Sequence, residues 1–180
     1  MNPNSLHLNL EAEIKSCETN RAYDLYCKYS FAYGGDWIIE TGCEEGVTQT
    51  GKKDSDGVSV WNFPIEASFQ ASKPFGWPQI IVAVYGTNLF GQEVIVGYGA
   101  VHVPTRTGSE TLNVPLYTRA PSSLFQKFVS SITGANSEAI SLNIVADGDT
   151  REILKTESEG FVRVKFDVSM IGLTRLDLSV

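Results

Sequence analysis

Hydrophobic and polar residues alternate with period two along most of the chain. Leu6, Leu8 and Leu10 interleave with His7, Asn9 and Glu11, and Leu25, Cys27, Tyr29, Phe31 and Tyr33 share one side of a second run that stops at Gly34 and Gly35. Successive side chains of a strand point to opposite faces, so each run places one face in a core and the other in water. Further strands are expected over 58–69, where Pro64 is a candidate break, and over 79–85, 93–103, 111–116, 140–146 and 161–168, about eight in all. Turn signals separate them: Asp56-Gly57, the stretch PFGWP at 74–78, NLFG at 88–91, Gly108 and Asp147-Gly148. That spacing favours two packed antiparallel sheets over a barrel. One segment follows a different period: beyond Pro121, Ser122 or Ser123 caps an expected short helix over 123–133, whose Phe125, Phe128, Val129 and Ile132 fall on one side before Gly134. The expected fold is an all-β antiparallel sandwich with one inserted helix, a single domain over 1–180.

Composition narrows the functional classes. With 180 residues, 42% of them hydrophobic and 19% charged, the chain can bury one sizeable core. Fourteen Lys and Arg against 21 Asp and Glu leave a formal charge of −7, which opposes polyphosphate backbones, so no nucleic-acid partner is expected. Cys17, Cys27 and Cys43 are an odd number without CxxC spacing, which fits a reducing compartment. Neither a secretory leader nor a membrane span is expected, because Asn9, Glu11 and Glu13 interrupt the first apolar run and the longest run, 80–85, falls far short of the roughly 20 residues a bilayer requires.

Candidate chemistry is sparse. His7 and His102 lie inside strand patterns, and no GxSxG elbow supports a nucleophilic serine. Cys27 sits on an apolar strand face, and Cys43 beside Glu44 and Glu45 lacks the cationic surroundings that activate a thiol. No phosphate-cradling glycine motif is present, so neither a catalytic residue nor a cofactor is expected. Asp147 and Asp149, with Asp54 and Asp56, offer a thin calcium candidate, but Asp-Gly is first of all a turn signal and no metal site is assigned. Aromatic residues in the turns remain. Phe75, Trp77 and Phe90 are candidate partner contacts, since large aromatics release much apolar area on entering a pocket, and they can equally fold back to close an open end of the sandwich. Trp61 reads as strand interior.

Five ordered blocks resemble the B9 domain family: DLYCKY at 24–29 running on to Gly35-Asp36-Trp37, EEGVTQ at 44–49, VWNFPI at 60–65, FGWPQI at 75–80 and GYGAVHVP at 97–104. The likeness extends over about 23–168. It implies a C2-like β-sandwich without enzymatic activity. The family acts at the transition zone of the cilium base, on its cytoplasmic side near the basal body. There its paralogues associate within a Meckel-syndrome and tectonic-like complex that gates entry of membrane proteins. The expected partners are therefore other B9 paralogues and that complex. The alternative is a peripheral phospholipid-binding module with weak membrane association, for which Arg163 and Lys165 on one side of a strand are the local hint.

Overall fold

The computed structural model describes residues 5–20, 24–87, 90–117 and 158–172. Within them lie nine strands: β1 Leu6–Thr19, β2 Asp24–Ala32, β3 Trp37–Gly42, β4 Glu45–Val47, β5 Val58–Ala71, β6 Gln79–Thr87, β7 Glu93–His102, β8 Gly108–Tyr117 and β9 Ser158–Ile171. All pairings between them are antiparallel, in the order β3-β5-β1-β9-β8-β7-β6-β2-β4. Seven of the eight expected strands are present, and β3 and β4 are additional. The strand expected over 140–146, the helix over 123–133 and the residues Asp147 and Asp149 lie outside the described residues.

The ladder is continuous but has a weak join, because β7 meets β8 at one registered pair, Tyr98 with Tyr117. At this join the sheet folds over on itself. β2 and β5 stand near opposite ends of the strand order, yet the rings of Phe31 and Phe69 meet edge to face with centroids 5.4 Å apart, and the buried Trp61 indole donates to the Leu25 carbonyl at 3.0 Å. Such contacts require β3-β5-β1-β9-β8 to face β7-β6-β2-β4 across a common core. Leu8, Ile14, Val162 and Val164 from one half meet Leu25, Cys27, Val82 and Val84 from the other, all fully buried. The expected antiparallel sandwich is thus built from one folded sheet.

Register irregularities shape the strands. Pro64 does not break β5, which runs from Val58 to Ala71. Beyond the short β3, which pairs only with 67–71, the outer flank of β5 has no strand neighbour among the described residues, and such an edge tolerates a residue without an N–H. The pairing of β1 with β5 steps three residues along β5 for two along β1 between Ile14 and Ser16, and Asn62 in that bulge takes φ 46°. β6 is buried from Gln79 to Val84, so both of its faces are withdrawn from water. This explains why it reads as an uninterrupted apolar run rather than an alternation.

The join depends on glycine. A Cβ on Gly99 would lie 2.3 Å from the Pro115 carbonyl oxygen, and one on Gly97 would lie 3.1 Å from Leu116 Cβ. Gly99→Ala should therefore destabilise the fold by about 1–3 kcal/mol through forced backbone displacement. Gly35→Ala should change stability by less than about 0.5 kcal/mol, since nothing lies within 4 Å of its Cβ position. Urea unfolding of the two variants measures the contrast, and equal midpoints would refute the role of Gly99.

Candidate functional site

Three loops converge at one end of the sandwich: 33–36, 72–78 and 103–107. Trp37, which opens β3 and is buried, donates its indole N–H to the Phe75 carbonyl at 3.1 Å. The Gly34 amide donates to the Gly76 carbonyl at 2.8 Å. The two backbones touch so closely that a Cβ on Gly76, whose φ is +69°, would stand 2.6 Å from Gly34 Cα. Trp77 in turn donates its indole N–H to the Val103 carbonyl at 2.8 Å and stacks edge-on against Trp37 at 5.1 Å, while the Val103 amide donates to Pro78. Every polar group of the two indoles is spent on bracing the loops together. The Phe75 side chain, 72% exposed, projects from this brace.

The three aromatic candidates therefore divide. Trp77 is half-buried and packs on the core, Phe75 is displayed, and Phe90 is 88% exposed in the β6–β7 hairpin. Phe75 precedes β6 and Phe90 follows it, so the structure does not bring them together but sets them at opposite ends of that strand. Trp37, Gly34 and Gly76, which position Phe75, were not singled out in the sequence as its supports.

The outer face of the other half is polar. A trough of about 580 Å³ crosses it, lined by Asn9, Glu11, Glu66, Ser68, Ser109 and Asp167 among others. Lys165, the candidate lipid contact, has its Nζ 2.7 Å from Asp167 and stands opposite Glu13. The hydrogen bond from Lys165, and then that from Ser109, hold the Asp167 carboxyl below its ordinary range, and the same bond to Asp167 raises Lys165. Arg163 lies over the Phe161 ring with its guanidinium 5.6 Å from the centroid. Lys165 is thus set among Asp167, Glu13 and Glu11, an unfavourable surface for anionic lipid, while Arg163 stands between Ser16 and Asn113.

One relay was invisible in the sequence. Glu40 is the extra residue of a bulge in β3, and its carboxylate accepts from His7 Nδ1 at 2.9 Å. In the tautomer with the proton on Nδ1, Nε2 accepts from the Ser5 hydroxyl at 3.1 Å, and Ser5 Oγ accepts from Gln70 Nε2 at 2.8 Å. The connectivity is that of a hydrolytic relay. Ser5, however, is only 7% exposed, its oxygen is already engaged by Gln70, and it does not line the trough. The relay works as a clasp between β1, β5 and β3. Among the described residues no three His, Cys, Asp or Glu side chains converge to hold a metal ion.

The sequence profile of the family described as ciliary basal body-associated, B9 protein matches residues 8–169. The chain belongs to the B9 family. It is 42% identical to B9 domain-containing protein 1 of Xenopus laevis, over 97% of this chain and 89% of that protein. It is 40% identical to B9 domain-containing protein 1 of Homo sapiens, over 97% of this chain and 86% of that protein. Among solved structures it is similar to a C2 domain of plant extended synaptotagmin 1, with a TM-score of 0.46 and 13% identity over 91% of this chain and 95% of that one. In this B9 domain the blocks that carry the resemblance build the scaffold: DLYCKY lies in β2, VWNFPI forms the bulge of β5, FGWPQI leads through the braced loop into β6, and GYGAVHVP holds the glycine join.

The brace predicts that Trp77→Ala lowers stability by about 3 kcal/mol, while Phe75→Ala stays within about 0.5 kcal/mol of the parent. Chemical unfolding measures both, and a Phe75→Ala loss as large as that of Trp77→Ala would place Phe75 in the core. The thiols give a second test. Burial pushes Cys17 up to about 12 and raises Cys27 as well, whereas Cys43 is exposed. One thiol should react with a disulfide reagent at pH 8 and two only after unfolding. A folded thiol that stays neutral up to about 12 against 9.0 for the free group contributes stability that is complete below pH 9 and lost as pH rises towards 12. A melting temperature that held constant across that window would refute the assignment.

Proposed function

We propose that this B9 domain is a non-enzymatic scaffold subunit at the cytoplasmic side of the cilium base. In this reading it binds its B9 paralogues within a Meckel-syndrome and tectonic-like complex at the transition zone, close to the basal body, and takes part in cilium assembly and in gating the entry of ciliary membrane proteins. The observation that supports a contact role most directly is Phe75, a large apolar side chain 72% exposed on a loop fixed by Trp37 and Trp77. A rigid, displayed aromatic loses little conformational freedom when it enters a partner's pocket. β3 also exposes Ile38 at 56%, but the edge it forms is six residues long and bulged and offers few backbone groups for pairing. Membership of a family described as ciliary supports the cellular setting.

The lipid-binding alternative draws on Lys73 and Arg106, two exposed cations on the loops beside Phe75. Against it stand the net charge of −7 and the carboxylates around Lys165. Tagged protein purified from ciliated cells should carry B9 paralogues in near-stoichiometric amounts and should not float with vesicles of phosphatidylcholine and phosphatidylserine at physiological salt. Absence of every paralogue, together with strong flotation, would replace the scaffold reading by the lipid one.

A further inference from the structure

We infer that the open flank of β8 over 108–113 receives one extended segment of another protein, which adds to the sheet as a strand and carries an apolar and a basic residue two positions apart. The inference rests on the scaffold reading and names the mode of one of its contacts. The ladder of β8 with β9 runs in unbroken register from Gly108 to Leu116, whereas β7 meets β8 at the single pair of Tyr98 with Tyr117. Over 108–113, therefore, β8 has a registered neighbour on one side only among the described residues. The crossing also reveals which backbone groups face the open side. The atom that a Cβ on Gly99 of β7 would meet at 2.3 Å is the Pro115 carbonyl oxygen, so Pro115 turns its backbone towards β7 and away from β9, where its missing N–H costs no ladder bond. Backbone direction alternates along a strand. With no register shift between 108 and 116, Asn113, Thr111 and Ser109 point their N–H and C=O groups to that same flank.

The devices that keep an edge from pairing are missing on this flank. β3 is bulged and β4 has three residues, but β8 carries neither Lys nor Pro nor a bulge over 108–113, and all of these residues except Leu112 are exposed. The side chains select what can be added. Glu110 and Leu112 lie on the inner side, in register with the buried Phe166 and Val164, while Ser109, Thr111 and Asn113 lie on the outer side. Leu112 is half-buried against the core and Glu110 is exposed. The cations of the region stand elsewhere: Lys165 is held by Asp167 on the outer side, Arg163 reaches Asn113 there, and Arg106 lies in the loop before the strand. A strand bonded to Ser109, Thr111 and Asn113 sets its intervening residues opposite Glu110 and Leu112 in the close, non-hydrogen-bonded pairs. A cation opposite Glu110 and an apolar side chain opposite Leu112 complete both, which in antiparallel addition reads apolar-x-basic along the incoming segment.

The test compares full-length tagged wild type with Thr111→Pro, Glu110→Lys and Glu110→Asp in ciliated cells, reading the amount of each B9 paralogue and tectonic-like subunit recovered. Thermal melting of the purified variants, and amide hydrogen exchange over 108–113 in the isolated chain and in the purified assembly, run alongside. Thr111→Pro removes an N–H that β9 does not use and Glu110→Lys alters an exposed side chain, so both should keep the parent's melting temperature. Each should lower recovery of one partner at least about tenfold, Glu110→Asp should retain it, and exchange over 108–113 should slow at least about tenfold in the assembly. If Thr111→Pro fails to fold, Glu110→Lys and the exchange rates decide. If wild type recovers partners and both blocking variants recover them equally, or exchange is as fast in the assembly as in the isolated chain, no strand adds at β8 and the scaffold reading stands without it. Loss with Thr111→Pro but not with Glu110→Lys refutes the basic occupant. An isolated chain that dimerises, and that Thr111→Pro makes monomeric, identifies a second copy as the occupant and overturns the inference. If wild type recovers no partner, the scaffold reading itself fails and the inference with it.

Discussion

Where β7 crosses β8, main chain presses on main chain. Gly99 and Gly97 present no Cβ there, and the space a Cβ would need is taken by the Pro115 carbonyl and by Leu116. Ordinary strand neighbours keep a ladder spacing of about 4.8 Å that any residue can occupy. The crossing abandons that ladder after the Tyr98–Tyr117 pair, and Pro115 is accommodated on a flank where few ladder bonds are formed. A sheet of nine strands held flat would expose one whole hydrophobic face. Folded at the crossing, it buries Phe31 against Phe69 and lets the Trp61 indole reach the Leu25 carbonyl in the other half. The braced loop depends on the same fold, since Trp77, beside β6 in one half, packs edge-on at 5.1 Å against Trp37 of β3 in the other.

Strands that alternate were legible, as was β6, whose unbroken apolar run is the mark of burial on both faces. β3 and β4 were not. Trp37, Ile38 and Ile39 are consecutive rather than alternating, and the bulge at Glu40 shifts the phase before a regular pattern can form. β4 has three residues, too few to show any period. The aromatic loop was legible in part: its sequence marks Phe75 and Trp77 as large side chains in a turn, but which indole or ring is spent on the scaffold depends on Val103 and Trp37, far along the chain. The His7–Glu40 contact was beyond reach for the same reason, because a bulge 33 residues away aims the carboxylate.

The outer face across β5, β1 and β9 shows how a charged surface can stay polar without becoming a site. Glu66, Glu11 and Asp167 occupy one cross-strand row, each directly opposite the next. Like charges so placed repel. Lys165 offsets part of that repulsion by pairing with Asp167 along the strand, and Lys15 does the same for Glu13 at 3.4 Å. In solvent these pairs contribute little net stability. Their effect is to leave the face hydrated and acidic, and so unsuited to packing against another apolar surface or an anionic membrane.

With this face hydrated and both faces of β6 buried, the contact surfaces considered among the described residues are the outermost sheet edges and loop ends, and those edges are poorly made for it. β3 has six residues and a bulge, pinned by the Glu40–His7 clasp, and β4 has three. Short, irregular edges present few backbone groups in register, which is how native sheets avoid unwanted pairing. The flank of β5 beyond β3 is likewise occupied: Gln49 donates its side-chain amide to the Trp61 carbonyl at 2.6 Å, and Pro64 has no N–H to offer. The loop ends combine the opposite properties, with backbone held by specific hydrogen bonds and aromatic side chains displayed at the surface. Among the described residues, glycines and indoles are thus spent on fixing loops and bulges on closing edges, which leaves the loops to display the exposed aromatic side chains.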